Sequence, residues 1–523
     1  MTTVTPYRSD LRAGRDGFAQ LLRAEWTKFR TVRGWTIGLA VAALLVVGLG
    51  LLSATASSSS CSHGPVEVPC PVPPTGPGGQ AVEDDFYFAH QPLDGDGSIT
   101  VRVSSMTGQI RLPDETPGVR NVANDVVPWA KAGVMIKEST RQGSAYAAVM
   151  VTAEHGVRMQ HNFTEDVAGR PGRVSPESPR WLRLTRAGDT IKGEESADGR
   201  QWSEVGTARL EGLTAKVRIG LFAASPGDVR ISRNVVGGSI SASRFAEVTA
   251  VMDEVGVRGA GTGGAWSRDD IGVTYEPDGS AHHPGGLVRS GGTYTITGVG
   301  DIAPLTAEAR VERTLSGAMF ALIAVIVVAV LFVTAEFRRQ LIRTTLLASP
   351  RRGRVLVAKA VVVGLVTFVS ALIAAAVTLP VGRRLFQGNG IHVMPVDLLT
   401  ELRVIAGVAG VLAVSAVFAL ALGALFRRSA MAVIAAIVAI LVPYVLATAS
   451  LLPEAVSDWL LRVTPAAGFA IQQSIPEYPQ VTAHYAPAAG YYPLAPWAGF
   501  AVLCGYAALT LALAAYRLRR SDV

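Results

Sequence analysis

The chain has 523 residues, 49% of them hydrophobic, and a formal net charge of +7. Its mean hydropathy of +0.33 exceeds that of ordinary soluble domains, which excludes an entirely soluble protein. The basic excess lies in short segments beside apolar runs. This pattern is typical of membrane orientation, and nucleic-acid binding is not expected.

Six apolar runs of at least 20 residues contain no Asp, Glu, Lys, Arg or His. Because about 20 apolar residues cross the hydrocarbon layer of a bilayer, six transmembrane helices are predicted. The predicted spans are residues 35–54, 315–335, 360–381, 404–426, 429–452 and 494–516. The first span also admits a cleaved signal peptide, although it is longer than the roughly 7–15 residues of such an apolar region.

The distribution of Lys and Arg predicts the orientation of these spans. Segments 1–34, 336–359, 427–428 and 517–523 together hold 19 basic residues, whereas the short loops on the other side hold four. Both termini are therefore predicted to be cytoplasmic in a multi-pass plasma-membrane protein. The long segment 57–312 is predicted to lie outside the cell.

The segment after the first span changes composition twice. Residues 55–81 are rich in Ser, Pro and Gly and indicate a spacer. Its Cys61 and Cys70 are either bridged or two free thiols, and the extracytoplasmic setting favours a disulfide. Residues 82–242 show short alternating strands of an all-β sandwich. Residues 243–312 indicate a further β annex, either part of the sandwich or a second lobe.

A hairpin pattern within this β region carries a resemblance. Turn signals occur at Asp94-Gly95 and at Asp198-Gly199. The second lies within "PRWLRLTRAGDTIKGEESADGRQWSEVG", residues 179–206, which resembles the jelly-roll domains of the concanavalin-like lectin and glucanase group. The resemblance implies an extracytoplasmic jelly-roll domain inserted between the first two spans.

Three tryptophans are candidates for stacking on a sugar ring of an extracytoplasmic glycan: Trp129, Trp181 and Trp202. Trp181 alternates with Leu182 and Leu184, which predicts that the indole faces the surface. Packing in the core or at a sheet edge is the alternative for all three. No carboxylate pair with the spacing of a glycosidase and no metal-ligand cluster is apparent.

The apolar part of the chain lacks the sequence features of an energy source. No Gly-x-x-x-x-Gly-Lys-Ser/Thr motif is present, and the six predicted spans contain no ionisable residue for a proton relay. The sequence-based expectation is therefore that the chain is not an enzyme and holds no cofactor. ATP and Mg²⁺ would be bound by a partner protein.

The basic segment "EFRRQLIRTTLLASPRRGRVLVAK", residues 336–359, lies between the second and third spans. Phe337, Leu341 and Thr345 are spaced four apart, which predicts an amphipathic helix over 336–348. Pro350 ends that helix because it disfavours helical backbone at the preceding residue. A simple positively charged anchor at the headgroups is the alternative.

This segment closely resembles the first cytoplasmic loop of the ABC-2 type permeases, which are membrane subunits of ABC transporters. "LLRAEWTKFRTVRGW" resembles their N-terminal interfacial helix, with Phe18, Leu22, Trp26 and Phe29 as its apolar stripe. "TPAAGFAIQQSIPEYP" resembles their outer segment, so re-entrant helices are expected within 453–493.

The resemblance implies a six-helix permease whose loop contains a coupling helix for a separate cytoplasmic ATPase. The residues implied in ATPase contact are Glu336, Phe337, Arg343, Leu346, Leu347, Pro350 and Arg351. A second permease chain, in a homo- or heterodimer, and the lipid bilayer are the other implied partners. Export is implied rather than import. The alternative function is a membrane-anchored carbohydrate-binding or sensory protein.

Overall fold

A computed structural model describes residues 17–63, 66–68, 70–113, 120–233, 239–272, 274–275, 281–306, 309–338 and 351–520. The α-helices of this part are α1 (Phe18–Thr31), α2 (Arg33–Ala56), α3 (Ala318–Arg338), α4 (Arg352–Gly388), α5 (Leu398–Phe426), α6 (Ser429–Thr448), α7 (Glu454–Val463) and α8 (Pro496–Arg520). Three 3-10 helices span Val311–Leu315, Pro465–Gln472 and Pro487–Ala489.

The β-strands follow α2 and precede α3. They are β1 (Cys61–His63), β2 (Val66–Val68), β3 (Val82–Asp84), β4 (Phe86–Arg111), β5 (Val122–Ala123), β6 (Lys131–Lys137), β7 (Tyr146–Thr152), β8 (Val157–His161), β9 (Glu165–Ala168), β10 (Arg180–Ala187), β11 (Thr190–Ser196), β12 (Ser203–Arg209), β13 (Lys216–Ala224), β14 (Asp228–Arg233), β15 (Ser239–Arg244), β16 (Ala246–Ala260), β17 (Ser267–Ile271), β18 (Thr274–Tyr275), β19 (Ala281–His282), β20 (Gly286–Ser290), β21 (Thr293–Gly298) and β22 (Ile302–Pro304).

In the described part of the chain, six helices are long and apolar enough to cross a membrane, namely α2, α3, α4, α5, α6 and α8. This confirms the six apolar helices predicted from the sequence. Helix α5 is central: it packs against α3, α4 and α8, and most of its side chains are buried. The other five helices each leave an apolar face exposed, which suits contact with lipid or with another chain.

Helix α4 differs most from its predicted span. It runs over 37 residues, Arg352–Gly388, and so extends beyond residues 360–381 at both ends. The extension brings Lys359 and Arg383 into the helix because each has a carboxylate partner on another helix. Lys359, the last residue of the predicted cytoplasmic coupling loop, therefore lies within helix α4.

The β domain is built around one antiparallel sheet of 14 strands. Its main path is β12-β11-β10-β4-β13-β6-β7-β8-β9, and β16 runs along the other edge of β4. Strands β10 to β12 pack over β6 to β8, so the sheet folds over itself in two layers. The core between the layers is apolar and includes Ile99, Val134, Leu182 and Leu221.

Strand β4 makes this folding possible because it belongs to both layers. Its residues pair with β13 up to Asp94 and with β10 from Gly97 onward. The turn predicted at Asp94-Gly95 is wrong, since the strand continues through it with Gly95 at a φ of +76°. Glycine accommodates such a bend inside a strand. The predicted turn at Asp198-Gly199 is confirmed between β11 and β12.

The predicted annex and spacer both join the β domain. Strands β16 and β21 of the annex belong to the large sheet, so the described residues form no separate second lobe there. The spacer contains the hairpin β1–β2, and backbone hydrogen bonds connect it to the rest of the chain at several points. Val82 N–H donates to Pro74 at 2.9 Å, and Ser59 N–H donates to Asn389 at 3.1 Å.

The segment between α6 and α8 contains short helices, as the sequence predicted for residues 453–493. Helix α7 is followed by the 3-10 helix Pro465–Gln472, whose residues from Pro465 to Ile471 are all buried. Arg403 of α5 donates to the carbonyl of Gln473 at 2.8 Å, so this segment is tied to the central helix.

A two-stranded ribbon, β3 paired with β22, closes the β domain where the chain enters and leaves it. Beneath this ribbon Lys137 forms a 2.7 Å salt bridge with Asp84, and both side chains are fully buried. Lys131 forms a second buried salt bridge with Asp301 at 2.5 Å. Buried charges of this kind are tolerated only when they are paired.

Glu83, on the same ribbon, gives the chain a predicted pH dependence. Burial, followed by the charges of Asp301 and Asp85, raises the pKa of Glu83 to about 8. Between the usual pKa of a glutamate and about pH 8, Glu83 of the folded chain keeps a proton that the unfolded chain has lost. The free energy of unfolding therefore falls as the pH rises through this range. Between about pH 5 and about pH 9, we expect the unfolding free energy to fall by a few kcal/mol.

Thermal unfolding of the full chain in detergent, followed against pH, measures this effect. Glu83→Gln should flatten the fall, because the amide needs no proton to remain neutral. Glu211→Gln, at an exposed turn, is the matched control and should retain the wild-type profile. An unchanged slope in Glu83→Gln would contradict the assignment of the pH dependence to this carboxyl.

Candidate functional site

The two ends of the predicted coupling loop are described, at α3 and at α4. Helix α3 continues through Glu336 and Phe337 to Arg338, beyond the predicted end of the second span at residue 335. Arg351 is exposed directly before α4. The remaining residues implied in ATPase contact lie outside the described residues: Arg343, Leu346, Leu347 and Pro350.

Four charged side chains meet where α1, α3 and α4 come together, and we call them the charged junction: Glu25, Lys28, Glu336 and Lys359. Lys359 Nζ lies 2.6 Å from a carboxylate oxygen of Glu25 and 2.6 Å from one of Glu336. Lys28 Nζ lies 2.8 Å from Glu25 and 3.1 Å from Glu336. The junction thus joins three helices through two carboxylates and two ammonium groups.

The charges of the junction balance, which explains how they can be buried. Glu25 and Lys359 are each 1% exposed, and Glu336 is 6% exposed. Removing two ion pairs from water costs free energy that only close pairing offsets. Lys28 lies at the edge: burial lowers its pKa, but the hydrogen bond and charge of Glu25 and the charge of Glu336 outweigh this and raise it.

An aromatic cluster packs beside the charged junction. The rings of Phe29, Trp35 and Phe332 lie within 6.2 Å of one another, centroid to centroid. Lys359 Nζ lies 4.8 Å from the centroid of the Phe332 ring, where the ring face attracts a cation. The cluster keeps water from the ion pairs and fixes α1 against α2 and α3.

The observed face of α1 differs from the predicted apolar stripe. Leu22 and Phe29 pack against the bundle, but Phe18 and Trp26 are 36% and 44% exposed. The charged Glu25 is buried on the same side of α1 as Leu22 and Phe29, because its partner Lys359 faces α1. The exposed aromatic pair remains available to an interfacial lipid layer.

The junction gives a single rigid connection between α1 and both helices that flank the loop. Glu336 uses its carboxylate inside the chain, whereas Arg351 faces outward. Sequence reasoning missed Glu25 and Lys359. The available signal was a lone charge of each sign next to an apolar segment.

The same end of the bundle holds two further contacts. Arg352 of α4 donates to the carbonyl of Leu518 in α8 at 3.1 Å. Arg517 of α8 donates to the carbonyl of Leu425 in α5 at 2.8 Å. Arginines at these positions satisfy carbonyls at helix ends, which have no partner within their own helix.

The three candidate sugar-stacking tryptophans are not brought into one site. Trp129 is 7% exposed and stacks on His155 with ring centroids 3.9 Å apart, so a sugar would have to displace that ring. Trp181 and Trp202 are partly exposed. The outward direction predicted for Trp181 is confirmed. The guanidinium of Arg183 lies 4.0 Å from the centroid of Trp202 and covers one face of that ring.

Cys61 and Cys70 form a disulfide across the hairpin β1–β2, with their Cα atoms 5.0 Å apart. His392 Nε2 lies 3.3 Å from the carbonyl oxygen of Cys70. The bridge therefore holds the hairpin next to the segment that follows α4.

The fold defines a chain of two parts: a large β-sheet domain and six helices long and apolar enough to cross a membrane. No family model and no curated protein matches it. Among solved structures it is similar to scytalido-glutamic peptidase with a transition-state analogue inhibitor, at 9% identity. That match covers 43% of this chain and all of the peptidase, with a TM-score of 0.26.

Two further solved structures match at comparable levels. SCP-B, a member of the eqolisin family of peptidases in complex with a tripeptide, is 8% identical, with 43% of this chain and all of SCP-B covered and a TM-score of 0.23. A functionally unknown protein from Saccharomyces cerevisiae is 13% identical. The match covers 32% of this chain and 72% of that protein, with a TM-score of 0.21.

These matches correct the expectation that the chain is not an enzyme. That expectation is overturned because glutamic peptidases are among the solved structures that match. Identities of 8–9% with TM-scores of 0.23–0.26 do not establish an enzymatic activity either.

Proposed function

We propose that the chain is the membrane-spanning permease subunit of an ABC transporter, energised by a separate cytoplasmic ATPase that binds ATP and Mg²⁺. Two permease chains, identical or different, pair in the plasma membrane. Both termini face the cytoplasm, and the β domain, a concanavalin-like module, lies outside. The direction of transport is export.

The observation that carries this proposal is the charged junction. A permease without its own energy source must transmit a conformational change at its cytoplasmic loop to the helices that line the transport pathway. The junction joins α1 to α3 and α4, which flank the loop resembling the coupling segment of ABC-2 permeases. This connection supports the proposal because it makes three helices respond as one body.

The orientation is tested with truncating fusions to alkaline phosphatase, which is active only outside the cytoplasm. A fusion after Gln80, ahead of the β domain, should be active, and a fusion after Arg351, ahead of α4, should be inactive. The expectation rests on the excess of Lys and Arg in segments 1–34 and 336–359. The reverse result would exclude the cytoplasmic coupling loop.

The transport proposal predicts that a gene for an ABC ATPase lies beside the gene for this chain, and that ATPase is used for the test. The two proteins should co-purify, and the ATPase should hydrolyse ATP several times faster in liposomes containing the chain than in empty liposomes. The control is a variant of the same ATPase that is catalytically inactive because its Walker-A motif is mutated. An ATPase that neither co-purifies with the chain nor responds to it would contradict the proposal.

The second candidate function is a membrane-anchored carbohydrate-binding or sensory protein. The observation in its favour is the partly exposed pair Trp181 and Trp202, which shares one face of the β domain with Arg102 and Arg183. Aromatic rings on one surface suit a sugar, and both arginines already pair with carboxylates, Arg102 with Asp253 and Arg183 with Glu194. Glycan binding by the chain without any ATPase partner would favour this function.

A further inference from the structure

An open cavity of about 900 Å³ lies between the β domain and the helices. Its walls come from the ribbon β3–β22, the hairpin β14–β15, the 3-10 helix Val311–Leu315, the segment 481–492 and the ends of α3 and α6. This volume falls in the range of small-molecule sites, which is roughly 300–1,000 Å³.

One wall presents buried polar atoms with no hydrogen-bond partner in the described residues: Arg310 Nη1, Glu312 Oε1 and Tyr491 Oη. Arg310 is only 8% exposed, and its guanidinium lies 3.8 Å from the centroid of the Tyr491 ring. A Cβ placed on Gly490 would lie 2.6 Å from Arg310 Nη1 and 3.8 Å from Glu312 Oε1, so both atoms border one small space. Unsatisfied polar groups at such depth are rare in proteins unless a ligand or water satisfies them.

The charges that face this space favour an anion. Arg310 and Arg313 form no salt bridge with a carboxylate among the described residues, whereas Asp301 is already paired with Lys131. Burial raises the pKa of Glu83 to about 8 and also raises the pKa of Glu312, which favours their protonated forms. The Ser474 hydroxyl donates to the other oxygen of Glu312 at 2.5 Å.

Another part of the cavity lining is apolar. It is formed by Leu315, by Ala318 and Met319 in the first turn of α3, and by Phe469 and Tyr444. Tyr444 belongs to the last turns of α6, and its ring lies 4.1 Å from that of Phe469, centroid to centroid. The cavity therefore passes from a cationic wall to an apolar wall between two helices of the bundle.

We propose that this cavity binds an amphiphile with a single anionic group, a phosphate or a carboxylate, and a hydrocarbon part. The anion accepts hydrogen bonds from Arg310 and Tyr491. The hydrocarbon part lies against Met319 and Phe469, between the ends of α3 and α6. A free inorganic anion would accept the hydrogen bonds of the polar wall but leave the apolar side chains in contact with water. An amphiphile therefore fits the cavity better. The site needs no ATPase.

The test uses the full chain in phosphatidylcholine nanodiscs without ATPase, titrated calorimetrically with octyl phosphate, inorganic phosphate and octyltrimethylammonium. Octyl phosphate should bind saturably and more tightly than either other probe. Equal affinity for inorganic phosphate would overturn the hydrocarbon part of the proposal. Equal affinity for the cationic amphiphile would overturn the assignment of an anion.

Variants locate the binding. Arg310→Gln should weaken octyl phosphate binding about tenfold or more, because hydrogen bonds to charged groups are the stronger ones. Arg310→Lys keeps the charge and should bind with intermediate affinity. Met319→Trp narrows the apolar wall and should weaken octyl phosphate more than ethyl phosphate. The control Arg462→Gln, at an exposed arginine outside the cavity, should bind like wild type.

Melting curves establish that each variant is folded. If Arg310→Gln does not fold, Arg310→Lys and Met319→Trp decide the question, since Arg310→Lys keeps the positive charge and Met319→Trp leaves the polar wall unchanged. Wild-type affinity in Met319→Trp together with wild-type affinity in Arg310→Lys would overturn the proposed site. Because no ATPase is present, loss of binding is distinguishable from loss of the proposed transport function.

Discussion

Replacing Lys359 with methionine is expected to destabilise the chain by about 3–5 kcal/mol, the usual cost of removing one partner from a buried ion pair. Glu25 and Glu336 would then share only Lys28, whose side chain is 37% exposed. Methionine preserves most of the apolar length of lysine, so the loss reports the missing charge. The melting temperature and yield of the purified chain in detergent measure the effect.

Lys28→Met is the matched control because it removes the same kind of charge from the edge of the same cluster. Lys28 is 37% exposed, so water screens part of its charge, and its loss should lower the melting temperature less than the loss of Lys359 does. Adding Glu25→Gln and Glu336→Gln to Lys359→Met should recover much of the stability, since no unpaired charge remains buried. A Lys359→Met chain as stable as wild type would show that these ion pairs do not hold the helices.

Replacing both Leu346 and Leu347 with aspartate is expected to abolish co-purification of the ATPase and to return its ATP turnover to the level of empty liposomes. The resemblance to ABC-2 permeases places both leucines in the coupling helix, and apolar anchors dominate the energy of most interfaces. Two carboxylates at such an interface would be desolvated without a cation. Arg343→Ala, which removes a single charge, should only weaken stimulation.

Leu398→Asp with Leu399→Asp is the matched control for this pair. Those two leucines also stand side by side and are 69% and 77% exposed, at the start of α5 and at the opposite end of the bundle. The control should insert in the membrane and retain its ATPase. If the Leu346 and Leu347 variant also inserts, binds its ATPase and supports wild-type turnover, the loop is only a positively charged anchor.

The sequence by itself determined the features that depend on local periodicity. Each apolar run of about 20 residues marks a helix because the hydrocarbon layer sets that length. The alternation of Trp181 with Leu182 and Leu184 fixed which side of β10 faces the core, since side chains in a strand point to opposite faces in turn. The turn at Asp198-Gly199 was likewise local, because Gly199 adopts a φ of +70°.

Tertiary structure alone decided the features that depend on distant partners. Asp94-Gly95 has the composition of a turn, yet pairing with β13 and β10 keeps β4 continuous through it. Lys359 reads as a loop residue until Glu25, 334 positions away, is placed beside it. Arg310 and Gly490 likewise meet only in the folded chain. The cost of burying a charge depends on what packs against it, and no local pattern records that neighbour.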